Sequence, residues 1–291
     1  MSVIPTALQK APTAHGLRGD YEHMAADWTV PQPEQYAPED HALWRRLYER
    51  QTALVRDYAA PMFVDSLRAM ECADAIPNIA RLSERLRRAT GWEVVCVPGL
   101  VPDDVFFAHL AEKRFPASWW IRTPEELDYL VEPDVFHDVF GHVPLLFDPV
   151  FADYLQEYGK GGPKAIAHDA VPILARLYWY MVEFGLIVVD GNIKAYGAGM
   201  LSSFGETKFS VDSPSPNRIG YALDRVMRTR YWIDRFQSTY FVLDSFEQLM
   251  RSSIETDFGP LYDAIKMSEP YAADAVLPTD RVIHRGEQSG A

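Results

Sequence analysis

The chain has 291 residues, 48% of them hydrophobic and 13% aromatic, enough to bury a large core in one domain or two, of which one is expected. A formal charge of −13 and an isoelectric point near 5.0 argue against nucleic acid and anionic membrane as partners, because both select clustered lysine and arginine. Two cysteines, Cys72 and Cys96, are too few for a disulfide framework or a Cys-based metal site, and no signal peptide or apolar run of membrane-spanning length is visible, so a cytoplasmic protein is expected.

Residues 1–35, rich in Pro, Ala and Gln without a sustained period, read as a loosely ordered N-terminal arm. A stripe of Leu43, Trp44, Leu47, Tyr48, Leu54 and Val55 predicts a helix over 38–55, and 79–90 predicts another. The stretches 92–98 and 115–121 are short strand candidates outside any regular alternation of strands and helices. Residues 171–189 carry only two charges, Arg176 and Glu183, and predict a mostly buried helix, with Pro172 in its first turn and Gly185 closing or bending its far end. Residues 236–249 read as helix, or as strand followed by helix. The segment 271–291 reads as a polar tail without a heptad for a coiled coil. A mostly helical single domain over 36–270 follows, and a monomer is expected in solution.

The chemistry concentrates in residues 132–144, where His137 and His142 stand five apart. At 3.6 residues per turn that spacing turns an α-helix roughly 140° past a full circle, so the two side chains would splay apart. Gly141 can end the helix in a left-handed conformation and Pro144 prevents its continuation, which would let His142 turn back from the exit while His137 points from the last turn. The zinc-protease pattern His-Glu-x-x-His needs i,i+4 spacing and a glutamate after the first histidine; here Asp138 follows. Any lone histidine is more often a hydrogen-bonded structural residue than a ligand. Glu183 changes that weighting, because a carboxylate in an apolar helix needs a partner, and Arg176 lies roughly 10 Å away along the helix axis. Two imidazoles and one carboxylate on one face of an octahedral metal suit a mononuclear non-haem iron that keeps open positions for dioxygen. A metal-dependent hydrolase with the same ligands is the alternative from another class, with Asp138 as the only nearby base.

Residues 132–146, 177–186 and 194–206 resemble the corresponding motifs of the tetrahydropterin-dependent aromatic amino acid hydroxylases, most nearly the bacterial members that act on phenylalanine. The likeness spans roughly residues 40–249, with three long motifs in the right order and spacing. It implies a mainly α fold, the helical basket of that family's catalytic domain with a few short strands. It also implies Fe(II) bound by His137, His142 and Glu183, and conversion of L-phenylalanine to L-tyrosine with O2 and a reduced pterin, in phenylalanine catabolism. Tyrosine or tryptophan hydroxylation is the alternative within the family.

By the same resemblance Arg122 holds the substrate carboxylate in a two-pronged grip, and Trp179 and Ser202 line the amino acid site. Tyr178 is an active-site tyrosine near the iron. Phe106 stacks on the pterin, with Phe107 as the second choice, and Val101, Asp138 and Ala175 face it; Asp138 stands where animal members carry glutamate. Ile233 takes a pocket position where tyrosine hydroxylases carry aspartate, which implies a preference for phenylalanine, since an apolar wall leaves a phenol hydroxyl unpaired. Animal members add a regulatory domain before this region and a multimerising helix after it, so activation by phenylalanine is not expected here. Leu130 and Val131 replace a Thr-Pro pair that touches substrate in those enzymes.

Overall fold

The computed structural model describes residues 18–128, 130 and 132–287. Helix α1 (Pro38–Tyr58) begins with Pro38 in its first turn and Glu39 and Asp40 at its positive end, and buries Leu43, Trp44, Leu47 and Val55. Helix α2 (Pro61–Met70) follows, then α3 (Ile79–Thr90), whose Asn78 side chain accepts the Arg81 N–H at 3.0 Å and which stops at Gly91 in the left-handed region, φ 81°. The two short strands are present as β1 (Glu93–Val97) and β2 (Arg114–Ser118). They are parallel neighbours joined by helix α4 (Asp103–Ala111), a strand–helix–strand unit where the sequence suggested isolated strands. Helices α5 (Pro149–Ala167) and α6 (Val171–Tyr178) pack behind this unit.

Residues 171–189 do not form one helix. After α6 the chain passes through a π-helical turn, Trp179–Glu183, and then becomes strand β3 (Leu186–Val189). The β-branched run Ile187, Val188, Val189 favours a strand, and Gly185 makes the change of direction possible because any Cβ there would lie 2.1 Å from the Tyr196 ring. The rest of the chain comprises β4 (Asn192–Ala195), α7 (Ala198–Leu201), α8 (Phe204–Asp212), β5 (Asn217–Gly220), α9 (Leu223–Met227), β6 (Thr239–Leu243), α10 (Phe246–Glu255), α11 (Phe258–Lys266) and β7 (Val282–His284). Strands β3 to β7 make one mixed sheet in the order β4-β3-β6-β5-β7, separate from the β1-β2 pair. Residues 236–249 thus realise the strand-then-helix reading.

The described parts of the arm and the tail, 18–35 and 271–287, are tied to the domain by hydrogen bonds and ion pairs. Val30 donates its N–H to the Cys96 carbonyl at 2.9 Å, Asp27 pairs with Arg114 at 3.0 Å, and the Tyr36 hydroxyl donates to the Trp119 carbonyl at 2.7 Å. At the other end β7 pairs antiparallel with β5, and Asp280 meets buried Arg225 at 2.9 Å. Residues 1–17 of the arm and 288–291 of the tail lie outside the described residues. Cys72 and Cys96 are free and buried. No helix among the described residues is long and apolar enough to cross a membrane.

Candidate active site

His137 and His142 share one helical segment, contrary to the exit geometry inferred from their spacing. Phe136–His142 winds as a π-helix, in which hydrogen bonds run from i to i+5, so five residues complete little more than one turn and both imidazoles face the same way. Gly141 has no left-handed φ. Its lack of a side chain serves close packing, since a Cβ there would lie 2.8 Å from the Ala198 carbonyl oxygen of α7.

Glu183 arrives by the same device. The Phe184 N–H donates to the Trp179 carbonyl at 3.0 Å, an i to i+5 bond, and this wider turn carries the carboxylate toward the histidines. Helix α7 closes over it: a Cβ at Gly199 would stand 3.0 Å from Glu183 Oε2 and one at Gly197 only 2.4 Å from the Glu183 carbonyl. Arg176 is not its partner, because that guanidinium donates to the Met227 carbonyl at 2.9 Å.

The three side chains converge on one point. The two Nε2 atoms are 3.2 Å apart, and Glu183 oxygens lie 3.3 Å from His142 Nε2 and 3.7 Å from His137 Nε2. Two imidazole nitrogens bound at right angles to one metal, each about 2.1 Å from it, would be about 3 Å apart, so the spacing fits shared coordination. Hydrogen bonding fits as well. Ser202 Oγ donates to the Ala198 carbonyl at 2.8 Å, so its contact with His137 Nδ1 at 2.9 Å is one in which the ring N–H donates and the hydroxyl accepts. That fixes the tautomer with the Nε2 lone pair turned to the cluster. Glu183 Oε1, buried, has no hydrogen-bond partner among the described residues. Burial alone would raise the Glu183 pKa, but His142 beside it holds it down to about 2, so the carboxylate is ionised. Burial lowers His137 well below the usual imidazole range and keeps it neutral.

A cavity of about 190 Å³ opens beside the cluster, lined by His137, Glu183, Arg122, Leu130, Pro133, Trp179, Phe184, Ser202, Glu206, Ile233 and Phe236 among others. All four residues expected at the amino acid site, Arg122, Trp179, Ser202 and Ile233, are among them. Arg122 is no surface ion pair: it is 7% exposed, and Asp134 accepts from its Nε and Nη2, both at 2.8 Å. Asp134 also accepts the His137 backbone N–H at 3.0 Å, so one carboxylate joins the arginine to the first turn of the π-helix. Sequence reasoning passes over Asp134, although a Pro-Asp pair just ahead of the histidine motif is visible there. Trp179 stacks on Tyr231 with centroids 4.3 Å apart. Ile233 sits at the rim, 56% exposed. Leu130 lines the cavity; Val131 lies outside the described residues.

The residues expected around a pterin do not line this cavity. Val101, Phe106 and Ala175 are buried, and the Phe106 ring is covered edge-on by Phe107 at 6.3 Å and by Tyr178 at 5.5 Å. Tyr178 lies roughly parallel to the His142 ring at 6.2 Å, and its buried hydroxyl has no hydrogen-bond partner among the described residues. Asp138 Oδ2 accepts the Ser118 N–H at 2.7 Å while its buried Oδ1 has no partner among them. Burial pushes the Asp138 carboxyl up to about 7.

Residues 18–263 match the family described as biopterin-dependent aromatic amino acid hydroxylase. The chain is 54% identical to phenylalanine-4-hydroxylase of Chromobacterium violaceum, covering 92% of this chain and 91% of that one. It is 53% identical to the phenylalanine-4-hydroxylase of Ralstonia nicotianae, over 95% and 88% of the two chains. A crystal structure of the C. violaceum phenylalanine hydroxylase bound to cobalt superposes with a TM-score of 0.88, covering 92% of this chain and 96% of the other. The chain therefore belongs to the biopterin-dependent aromatic amino acid hydroxylases. It is an enzyme of that class, its fold is that family's catalytic domain, and iron and tetrahydropterin are its cofactors.

Proposed function

We infer that the chain is a phenylalanine 4-monooxygenase that converts L-phenylalanine to L-tyrosine and initiates phenylalanine catabolism. The observation that carries this reading is the convergence of His137, His142 and Glu183 on one point at the wall of a cavity that also holds a buried arginine. Relatives named phenylalanine-4-hydroxylase at 52–54% identity support the substrate.

Bound Fe(II) would activate dioxygen, and the reduced pterin would supply two electrons and take up the second oxygen atom as a hydroxypterin. The protein's part is to position and to exclude water. His137, His142 and Glu183 would hold the iron, with Ser202 fixing the His137 tautomer. Asp134 occupies one edge of the Arg122 guanidinium, which leaves the Nη1 side, engaged among the described residues only by a long 3.5 Å bond to the Leu127 carbonyl, to take the substrate carboxylate. Trp179, braced on Tyr231, and Ile233 would bound the aromatic ring. Val101, Phe106, Asp138 and Ala175 would take the pterin. The unpartnered Oδ1 of Asp138 suits a ring N–H donor, and stacking on Phe106 requires that ring to be uncovered. Tyr178 offers a neutral phenol beside His142, since burial raises it well above the ordinary tyrosine range. A monomer in a reducing cytoplasm fits two buried thiols.

The test is metal analysis with tetrahydropterin-dependent product formation from phenylalanine, tyrosine and tryptophan. One iron per chain, lost in Glu183→Ala, and the highest kcat/KM for phenylalanine are expected. Full iron and activity in Glu183→Ala would overturn the ligand set, and a higher kcat/KM for another amino acid would overturn the substrate.

A further inference from the structure

Four carboxylates of the described residues line the cavity: Asp128, Glu183, Glu206 and Asp234. Three are already matched with basic groups. Asp128 pairs with Arg50, Asp234 with Arg235 at 3.1 Å, and Glu183 faces the two histidines. Glu206 forms no ion pair among the described residues. It projects from the first turn of α8 and is 6% exposed. Its Oε1 accepts two neutral donors, the Tyr240 hydroxyl at 2.8 Å and the Gln237 N–H at 3.2 Å. Burial pushes its carboxyl up to about 7 against the lowering effect of those two hydrogen bonds. A buried carboxylate held by neutral donors alone is costly to ionise, and a cation entering the cavity would offset that cost.

The substrate class brings such a cation. An amino acid carries a carboxylate and an ammonium on one carbon, and the cavity presents one buried arginine and one buried carboxylate without a basic partner among the described residues. We propose that Glu206 is the residue that recognises the α-ammonium of the substrate, opposite the carboxylate grip of Arg122. This assignment rests on the reading of the cavity as an amino acid site. It makes the enzyme selective for the zwitterion over aromatic acids that share the ring and the carboxylate. It also places the recognising carboxylate in contact with the rim segment carrying Ile233, since Gln237 and Trp232 clasp each other through two hydrogen bonds, at 2.8 and 3.1 Å.

The experiment is calorimetric binding of L-phenylalanine and of 3-phenylpropanoate, which lacks only the ammonium, to iron-loaded wild-type enzyme, Glu206→Gln and Glu206→Asp. Wild type should bind phenylalanine at least about tenfold more tightly than phenylpropanoate, and Glu206→Gln should weaken phenylalanine roughly ten- to hundredfold, the range of a charge-assisted hydrogen bond. Phenylpropanoate binding should stay unchanged in Glu206→Gln, which also reports that the variant is folded. Glu206→Asp, which keeps the charge on a shorter stem, should retain part of the preference. Equal weakening of both ligands in Glu206→Gln would mean that Glu206 only anchors the rim, and would overturn the proposal. So would unchanged affinity for both, or equal binding of the two ligands by wild type. If Glu206→Gln does not fold, a reduced preference in a folded Glu206→Asp supports the proposal and a full preference overturns it. Failure of wild type to bind phenylalanine at all would overturn the amino acid reading and this proposal with it.

Discussion

Ser202 Oγ accepts the Nδ1 proton of His137 at 2.9 Å while directing its own proton to the Ala198 carbonyl at 2.8 Å. The sequence resemblance places this residue in the amino acid site, yet its hydrogen bonds make it the group that orients an iron ligand. Outer partners of metal-bound histidine typically account for ten- to hundredfold in metal affinity. Ser202→Ala should therefore weaken iron binding by about that factor, read by metal titration against a chelator. An unchanged iron Kd would return Ser202 to a role in substrate contact alone.

Arg122 and Asp134 share two hydrogen bonds at 2.8 Å in a buried setting. Lysine, a point charge, cannot hold Asp134 with one side of its head and a substrate carboxylate with the other. Arg122→Lys should raise the KM for phenylalanine roughly ten- to hundredfold, the equivalent of about 1.5–3 kcal/mol. Asp134→Ala should be worse for the fold, because it strands a buried guanidinium at a cost of about 3–5 kcal/mol. Thermal denaturation separates the two: Arg122→Lys should unfold well above Asp134→Ala, and the reverse order would refute the pairing.

The sequence made the three converging side chains, His137, His142 and Glu183, legible but not their local winding. Helix α3 and the start of α1 follow from apolar stripes at 3.6-residue spacing, and α3 matches the expected range of 79–90. The same spacing rule misleads at the histidines, because a π-helical turn obeys a different period and costs an α-helix hydrogen-bonding geometry that only tertiary packing restores. Here that packing is α7, which meets Gly141 through Ala198 and closes on Glu183 through Gly197 and Gly199. The apolar run through Val189 could not reveal where helix gives way to β3, since a buried strand and a buried helix share one composition. Asp27 and Asp280 look like ordinary surface acids until their partners, Arg114 and Arg225, are brought to them from 87 and 55 residues away.

The docked C-terminal segment yields a prediction of its own. Arg225 is buried, faces the Phe241 and Tyr271 rings, and is held by both oxygens of Asp280. Asp280 also accepts the Leu277 N–H at 2.7 Å, which fixes the turn that leads into β7. Asp280→Ala should cost about 3–5 kcal/mol, which for a domain of this size lowers Tm by roughly 2 °C or more for each kcal/mol. A Tm within about one degree of wild type, well inside that expected drop, would mean that the tail is dispensable, as a loose polar extension would be.

Glu206 should leave a mark on the pH dependence of stability in the ligand-free protein. Burial raises its carboxyl from the ordinary value of 4.5 to about 7. Between those values the folded protein keeps a proton that the unfolded chain releases, so the contribution of this group to stability is fully present below pH 4.5. It is lost as pH rises through 7. The loss is roughly 3 kcal/mol at most, since each pH step between the two values removes about 1.4 kcal/mol. Glu206→Gln cannot ionise, so its unfolding free energy should fall less than that of wild type between about pH 5 and about pH 8, measured by denaturant titration without substrate. Parallel pH profiles for the two proteins would show that Glu206 is already ionised in the empty cavity, matched there by a cation that the described residues do not supply.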